Sequence, residues 1–302
     1  MTNSLLLARR NLMLYYRDKT NVFLSFLGAI ILFALYVLFL HALNFDGIVD
    51  KLDDRGIEYD AEDVSYFVSV WVYAGIVMVT SVTTGLGALV GYVDDRTSQR
   101  FSEFVVMPIK RWQIVAGYYI SSFTAAATMS TAILGLGWGV IWLLHQQAPG
   151  PLRILQAWGF VLFGAAAFSA FNIFLISLVN TVSAFVTEST IMGGMIGFAA
   201  AAYIPENMMP DRVRDIVNLL PFAQAAALIR RPMSGDAADV VARGSPTFRA
   251  TLRQNYGLDL PLGPVFDLDP ILLPWWLPIV ELTAMTVICG AIAIWKLNRR
   301  IR

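Results

Sequence analysis

The chain has 302 residues, of which 57% are hydrophobic and 15% charged, with a formal net charge of zero. Soluble domains carry about half apolar and about a quarter charged residues, so this composition excludes an ordinary soluble protein and indicates an integral membrane protein. Zero net charge offers nothing to attract nucleic acid, and the one cysteine, Cys289, lies in an apolar run with no internal disulfide partner.

Near the start, Leu5, Ala8, Leu12 and Tyr15 or Tyr16 form one helical stripe, with Arg9, Arg10 and Arg17 away from it. Such a basic amphipathic helix suits the inner headgroup region. A hydrocarbon core about 30 Å thick needs about 20 apolar residues in helix. Six runs approach or exceed that length: Val22 to Leu43, Val64 to Val93, Ile114 to Leu144, Ile154 to Val179, Ala184 to Ile204 and Ile271 to Lys296. Only Asn180-Thr181-Val182-Ser183 separates the fourth from the fifth. The first is longer than a signal-peptide h-region and no small-x-small site follows His41, so it is expected in the mature protein.

Short flanking segments set orientation, because Lys and Arg prefer the cytoplasm. Arg9, Arg10, Arg17 and Lys19 precede the first span; Arg96, Arg100, Lys110 and Arg111 lie between the second and third; Lys296, Arg299, Arg300 and Arg302 follow the sixth. All three segments are expected inside, with both termini. The first outer loop is acidic, and the outer loop from Pro205 to Pro270 is long enough to escape the rule despite its arginines.

Between the second and third spans, Phe101, Phe104 and Val105 make an apolar stripe opposite Arg96, Gln99, Arg100 and Glu103. Asp94 and Asp95 are expected at the positive N-terminal end of this short helix, with Met107-Pro108 as its stop. A helix of about ten residues is marginal alone in water, so membrane anchors or a partner must hold it.

In the long outer loop, Val213, Ile216, Val217 and Leu220 form a stripe broken by Pro221, and Phe222 to Ile229 continues to Arg230-Arg231-Pro232. Too short to span, the pair suits a helical hairpin dipping into the outer leaflet. Ser245-Pro246 is a good helix start, Phe248, Leu252 and Tyr256 share a face, and Gly257 can close the helix, so the loop is expected to be a small folded cap. Glycines cluster in the second, third and fifth spans, and Gly193 with Gly197 has small-xxx-small spacing.

The chain contains no G-x-x-x-x-G-K-[ST], H-E-x-x-H or G-x-S-x-G motif and no Cys or His cluster, so catalysis, metal binding and nucleotide binding by this chain are not expected. His41 and His145 fall at the outer ends of spans and are expected to face water and headgroups. Two carboxylates fall in spans: Glu188 near the inner end of the fifth, and Glu281 about ten residues into the sixth, near mid-membrane.

The layout resembles the permease subunits of ABC-2-type transporters over nearly the whole chain. The resemblance rests on Arg-Asn-Leu-Met-Leu-Tyr-Tyr-Arg-Asp (Arg10 to Asp18) before the first span, on Asp94-Asp95-Arg96 through Pro108 to Trp112, and on Leu220-Pro221-Phe222-Ala223 before the last span. It implies one all-α domain over 1–302: a connecting helix (1–21), six spans, a coupling helix (94–112), and an extracytoplasmic loop (205–270) with a re-entrant hairpin. It further implies two cytosolic ABC ATPase subunits, which hold ATP and Mg, and a second permease subunit, identical or paralogous, in the inner membrane of a bacterial cell. Carried residue by residue, the coupling set is Asp94, Asp95, Arg96, Arg100, Phe101, Glu103, Phe104, Pro108 and Arg111. The connecting-helix set is Arg9, Arg10, Tyr16, Arg17 and Asp18.

The resulting expectation is ATP-driven export of an amphipathic or hydrophobic compound such as a drug, antibiotic, antimicrobial peptide or lipid-linked molecule. Phe26, Trp71, Met78, Met192, Met195 and Glu281 are candidate route residues, the Met and aromatic side chains for their adaptable apolar surface. A proton-coupled secondary transporter using Glu281 is the alternative, and a membrane-embedded enzyme a third reading.

Overall fold

The computed structural model describes residues 3–36, 40–98, 109–262 and 271–300, and their side chains except at 21, 24–26, 28, 35 and 297–300. Helix dominates, as lipid-buried backbone requires, because each N–H and C=O must be satisfied within its own segment. The helices are α1 (Asn3–Arg17), α2 (Lys19–Leu35), α3 (His41–Asp53), α4 (Ala61–Gly87), α5 (Val90–Thr97), α6 (Arg111–His145), α7 (Pro151–Leu178), α8 (Val182–Ala199), α9 (Asp211–Asn218), α10 (Pro221–Val241), α11 (Pro246–Asn255) and α12 (Leu277–Arg300). A short antiparallel pair, β1 (Pro261–Leu262) with β2 (Ile271–Leu272), sets Pro261 against Leu272.

Among the described residues, five segments are long and apolar enough to cross a membrane: Ala61–Thr97, Arg111–His145, Pro151–Leu178, Val182–Ala199 and Leu277–Lys296. The expected first span, Val22 to Leu43, falls on α2, 17 residues long and not among these five; 37–39 of that run lie outside the described residues. The fifth segment begins at Val182 because Thr181 caps it, accepting from the Ala184 N–H at 3.2 Å. The last begins at Leu277, not Ile271, because Ile271 and Leu272 pair with β1 and a turn through Pro274 follows. Glu281 therefore sits about one turn into α12 rather than ten residues into a helix.

The central helix is α4, which packs on α2, α3, α6, α7, α8 and α10. Phe67, Trp71, Ala74 and Met78 on it are fully buried. Between helices in lipid, close packing and hydrogen bonds do what water exclusion does elsewhere, and α4 has both. Ser122 of α6 donates to the Gly85 carbonyl at 2.8 Å, and Asn172 of α7 donates to the Val82 carbonyl at 3.0 Å, knotting three helices at one level. Gly193 meets nothing within 4 Å and Gly197 meets Tyr203, so this spacing makes no helix crossing among the described residues.

The end of the bundle farthest from α1 carries a folded cap. Ser245 accepts from the Phe248 N–H at 3.4 Å, Pro246 occupies the first turn, Phe248, Leu252 and Tyr256 are buried, and Gly257 adopts φ +62°, all as the sequence predicts. Other cap features differ from expectation. The acidic first loop folds as α3, with Asn44, Ile48 and Leu52 buried at helical spacing. Helix α10 does not end at Arg230-Arg231-Pro232; it runs through Pro232 to Val241, held by packing on α4 and α7. Arg230 is fully buried, donating to the Ala201 carbonyl at 2.6 Å, with its guanidinium 5.0 Å from the Trp71 ring centroid.

On helix α9 the expected stripe is divided, Val217 being buried. Val213 and Ile216 are exposed while Asp215 and Asn218 are buried, because Asn218 bridges the buried Glu206 (3.3 Å) and the Pro261 carbonyl (2.9 Å). Neither histidine simply faces water. His41 Nε2 lies 3.1 Å from Ser65 Oγ; His145, 8% exposed in its side chain, lies 2.6 Å from Glu62 and 3.1 Å from Ser69. Serines one turn apart on α4 thus dock α3 and α6 at the cap end.

Candidate functional site at the α1 end

Helix α1 lies against α6. Its buried face is Ser4, Ala8, Asn11 and Tyr15, rotated from the expected stripe so that Leu5 is 43% exposed. Close approach explains the rotation: a Cβ at Gly117 of α6 would stand 2.9 Å from the Leu7 side chain, so only glycine lets α1 sit this low. The rotation also turns Arg10 toward α5.

Asp94 and Asp95 do not open a helix. They fall in the second half of α5, Val90–Thr97, where a carboxylate opposes the helix dipole. Asp94 is exposed. Asp95, 2% exposed in its side chain, is compensated from two other helices: Arg10 donates bidentately at 2.6 and 2.7 Å, and the Tyr118 hydroxyl of α6 donates at 2.6 Å. The hydrogen bond to Asp95 is the main cause holding the Arg10 guanidinium above its ordinary pKa, against the desolvation that lowers it. Edge-on packing of Tyr92 on Tyr118, at 5.0 Å between ring centroids, backs the pair.

One residue on, Arg96 turns the other way. It donates to Asn180 Oδ1 at 2.6 Å and to the Val179 carbonyl at 2.5 Å, fastening α5 to the turn between α7 and α8. The polar break after Val179 therefore anchors α5 as well as separating two spans. Beyond Lys110, whose N–H donates to Gln113 Oε1 at 3.0 Å, Arg111 is the first residue of α6.

Four of the expected residues, two from each set, come together. Arg10, Asp18, Asp94 and Asp95 line one cavity of about 220 Å³ between α1 and α5. Tyr16 is on the other side of α1, its hydroxyl hydrogen-bonded to Thr128, and Arg9 and Arg17 are exposed. Arg100, Phe101, Glu103, Phe104 and Pro108 lie outside the described residues. Tyr118 and Asn180 complete the junction; no sequence periodicity marks either as a partner of α5.

The candidate route residues are not brought together. Trp71 and Met78 lie in the packed core, because α4 is covered on all sides, and the Trp71 indole donates to the Tyr256 carbonyl at 2.6 Å. Met192 is half-buried, Met195 is 63% exposed on α8, Glu281 is half-buried on α12, and the Phe26 side chain is outside the described ones. Both Glu188 carboxylate oxygens are sealed and accept no hydrogen bond among the described residues.

Helix α1 is thus clamped to α5, at one end of the spanning segment Ala61–Thr97, and α5 is pinned to the turn between α7 and α8. Compared with known families, the chain matches the profile of the ABC-2 family transporter protein family over residues 48–295. The chain belongs to this family. It is the membrane subunit of an ABC transporter, a multi-pass permease that works with an ABC ATPase rather than a catalyst itself. Among curated proteins there is no match to this chain.

Proposed function

We propose that this permease is the membrane half of an ATP-driven exporter in which ATPase movement enters through the α1–α5 junction. The observation that carries the reading is the buried Arg10–Asp95–Tyr118 clamp together with the Arg96–Asn180 tether. A displacement of the segment that follows Thr97 is then felt at once by α1, α4, α6 and the α7–α8 turn. Coupling needs such a rigid network with two arrangements, not mere proximity.

In this reading the chain has six spans, α2 being the first, and the α1 end is cytoplasmic with both termini. The segment 94–112 meets the ATPase, Arg100, Phe101, Glu103 and Phe104 forming the contact and Pro108 ending it. Two ATPase subunits hold ATP and Mg, and a second permease, identical or paralogous, completes the assembly. The cargo is an amphipathic or hydrophobic compound leaving the cytoplasm or inner leaflet. The apolar face of α8 left exposed by this chain, with Val186, Ile191, Met195 and Phe198, supports a lipid- or partner-facing wall beside that route.

Transport in vesicles containing the permease and its ATPase distinguishes this from the proton-coupled alternative. Export should require ATP and be lost with Glu103→Ala or Phe104→Asp while the protein stays folded and ATP hydrolysis persists. Flux driven by a proton gradient without the ATPase would defeat the proposal.

A further inference from the structure

At the cap end, a cleft of about 440 Å³ opens between α7, α10 and α11, and a second of about 480 Å³ adjoins it, sharing Asp239, Arg249 and Arg253. Volumes of this size hold small ligands. Four arginines, Arg153, Arg231, Arg249 and Arg253, line them against three aspartates, Asp236, Asp239 and Asp259. The level of the cleft is marked by exposed tryptophans: Trp158 is one turn beyond Arg153–Gln156 on α7, and Arg231 donates to the carbonyl of Trp275, which with Trp276 heads α12. Exposed Trp side chains mark the headgroup layer of a bilayer. Leu152 and Leu155, exposed beside Arg153, suit acyl chains at the same level.

The charges are paired unevenly. Arg153 holds Asp236 through Nε and Nη2 at 3.0 and 2.7 Å. Arg253 holds Asp259 at 2.6 Å, and Arg231 is 3.6 Å from the same carboxylate. Asp239 lies where the two clefts meet: Oδ2 accepts from Arg249 at 2.6 Å, while Oδ1, 3.8 Å from Arg253, accepts no hydrogen bond among the described residues. Arg249 is 52% exposed and makes one hydrogen bond to Asp239 with its five N–H groups. It can turn to an incoming phosphate, and Asp239 then keeps only Arg253, 3.8 Å away and itself held by Asp259, so its freed Oδ2 can take a further cation. A ligand carrying both charges satisfies the exchange without leaving either group unpaired; a purely anionic ligand would leave Asp239 facing it.

We propose that this cleft binds the phosphoethanolamine headgroup of a membrane phospholipid, phosphate on Arg249 and Arg153, ammonium on Asp239. Its placement in the outer leaflet rests on the orientation proposed above; the binding itself does not, because a detergent-solubilised protein meets lipid on every side.

The test uses the full-length protein, delipidated and titrated with dioleoyl-phosphatidylethanolamine, -phosphatidylcholine or -phosphatidylglycerol, with bound lipid counted by native mass spectrometry. Phosphatidylethanolamine should bind about tenfold more tightly than the other two, since choline offers no N–H and glycerol no cation. Asp239→Asn should bring phosphatidylethanolamine and phosphatidylcholine to within about twofold of each other, whereas Asp239→Glu keeps the preference. Arg249→Gln should weaken all three lipids and Arg249→Lys should restore part of the loss. Equal binding of the three lipids by the wild-type protein, or an intact preference in Asp239→Asn, would overturn the proposal. Soluble phosphoethanolamine should compete only in large excess; displacement at equal concentration would overturn the lipid as source.

Discussion

The clamp at the α1–α5 junction predicts an asymmetric response to losing either partner. Asp95 is 2% exposed and Arg10 34% in their side chains. Removing one partner of a buried ion pair costs about 3–5 kcal/mol when the other is left sealed from water. Arg10→Gln does this to Asp95, with Tyr118 still donating; partial access of water on the Arg10 side discounts the cost to about 2–3 kcal/mol. Asp95→Asn leaves Arg10 able to hydrate and keeps an acceptor for Tyr118, so its cost is about 1–2 kcal/mol. The double variant should cost less than the sum of the two, with a coupling energy of about 1–2 kcal/mol. Unfolding of the full chain by SDS in mixed micelles, followed by far-UV ellipticity, measures all three. A larger cost for Asp95→Asn than for Arg10→Gln, or strict additivity, would refute the geometry of the clamp.

Four further outcomes follow from particular contacts. Gly75→Ala should destabilise by about 1–3 kcal/mol, because the new methyl would stand 2.8 Å from Ala202 Cβ and 3.2 Å from Ala202 Cα; thermal unfolding in detergent reads it. Arg96→Ala should raise hydrogen exchange in the turn at Asn180 as well as at the end of α5, while Arg9→Ala should leave both unchanged. Burial holds the Glu206 carboxyl up to about 7, with Arg230, Asn218 and Arg214 pulling it down. The folded chain then keeps a proton that the unfolded chain has lost, so this group's contribution is present below about pH 4.5 and is lost as pH rises through about 7, about 3 kcal/mol in all; Glu206→Gln should flatten that part of the melting temperature profile between pH 4.5 and 8. Trp71→Phe removes the 2.6 Å bond to the Tyr256 carbonyl and should cost about 1–3 kcal/mol by leaving that acceptor buried, seen as a lower melting temperature.

What could be read from the sequence follows physical range. Local signals succeeded in part: apolar length placed five helices long enough to cross a membrane, and Ser245-Pro246 with Phe248, Leu252 and Gly257 placed α11 and its caps. Readings that used local rules where distant partners decide did not. Asp94 and Asp95 looked like a helix start, but Asp95 is tolerated late in α5 because Arg10, 85 residues earlier, neutralises it. Pro232 looked like a stop, yet packing on α4 and α7 carries α10 through it. The stripe of α9 divided, Val217 turned inward and Val213 and Ile216 outward, because Asn218 bonds the buried Glu206 and the Pro261 carbonyl. Of the candidate site, the two residue sets followed from the family resemblance, and charge alone marked Arg10 and Asp95 as ionised groups without pairing them; Tyr118 and Asn180 carried no signal, since a hydroxyl or an amide gains its partner only when helices meet.

The central claim, proposed above, is that force enters at the segment following Asp94–Asp95. Site-specific cross-linking tests it most directly: in a Cys289→Ser background, single cysteines at Phe104 and, at the cap end, at exposed Val240 are treated with a bifunctional reagent in the presence of the partner ABC ATPase. Cross-links from position 104 that change in yield between nucleotide-free and ATP-bound states, with none from position 240, are the predicted result. ATPase cross-links from position 240 with none from position 104 would contradict it.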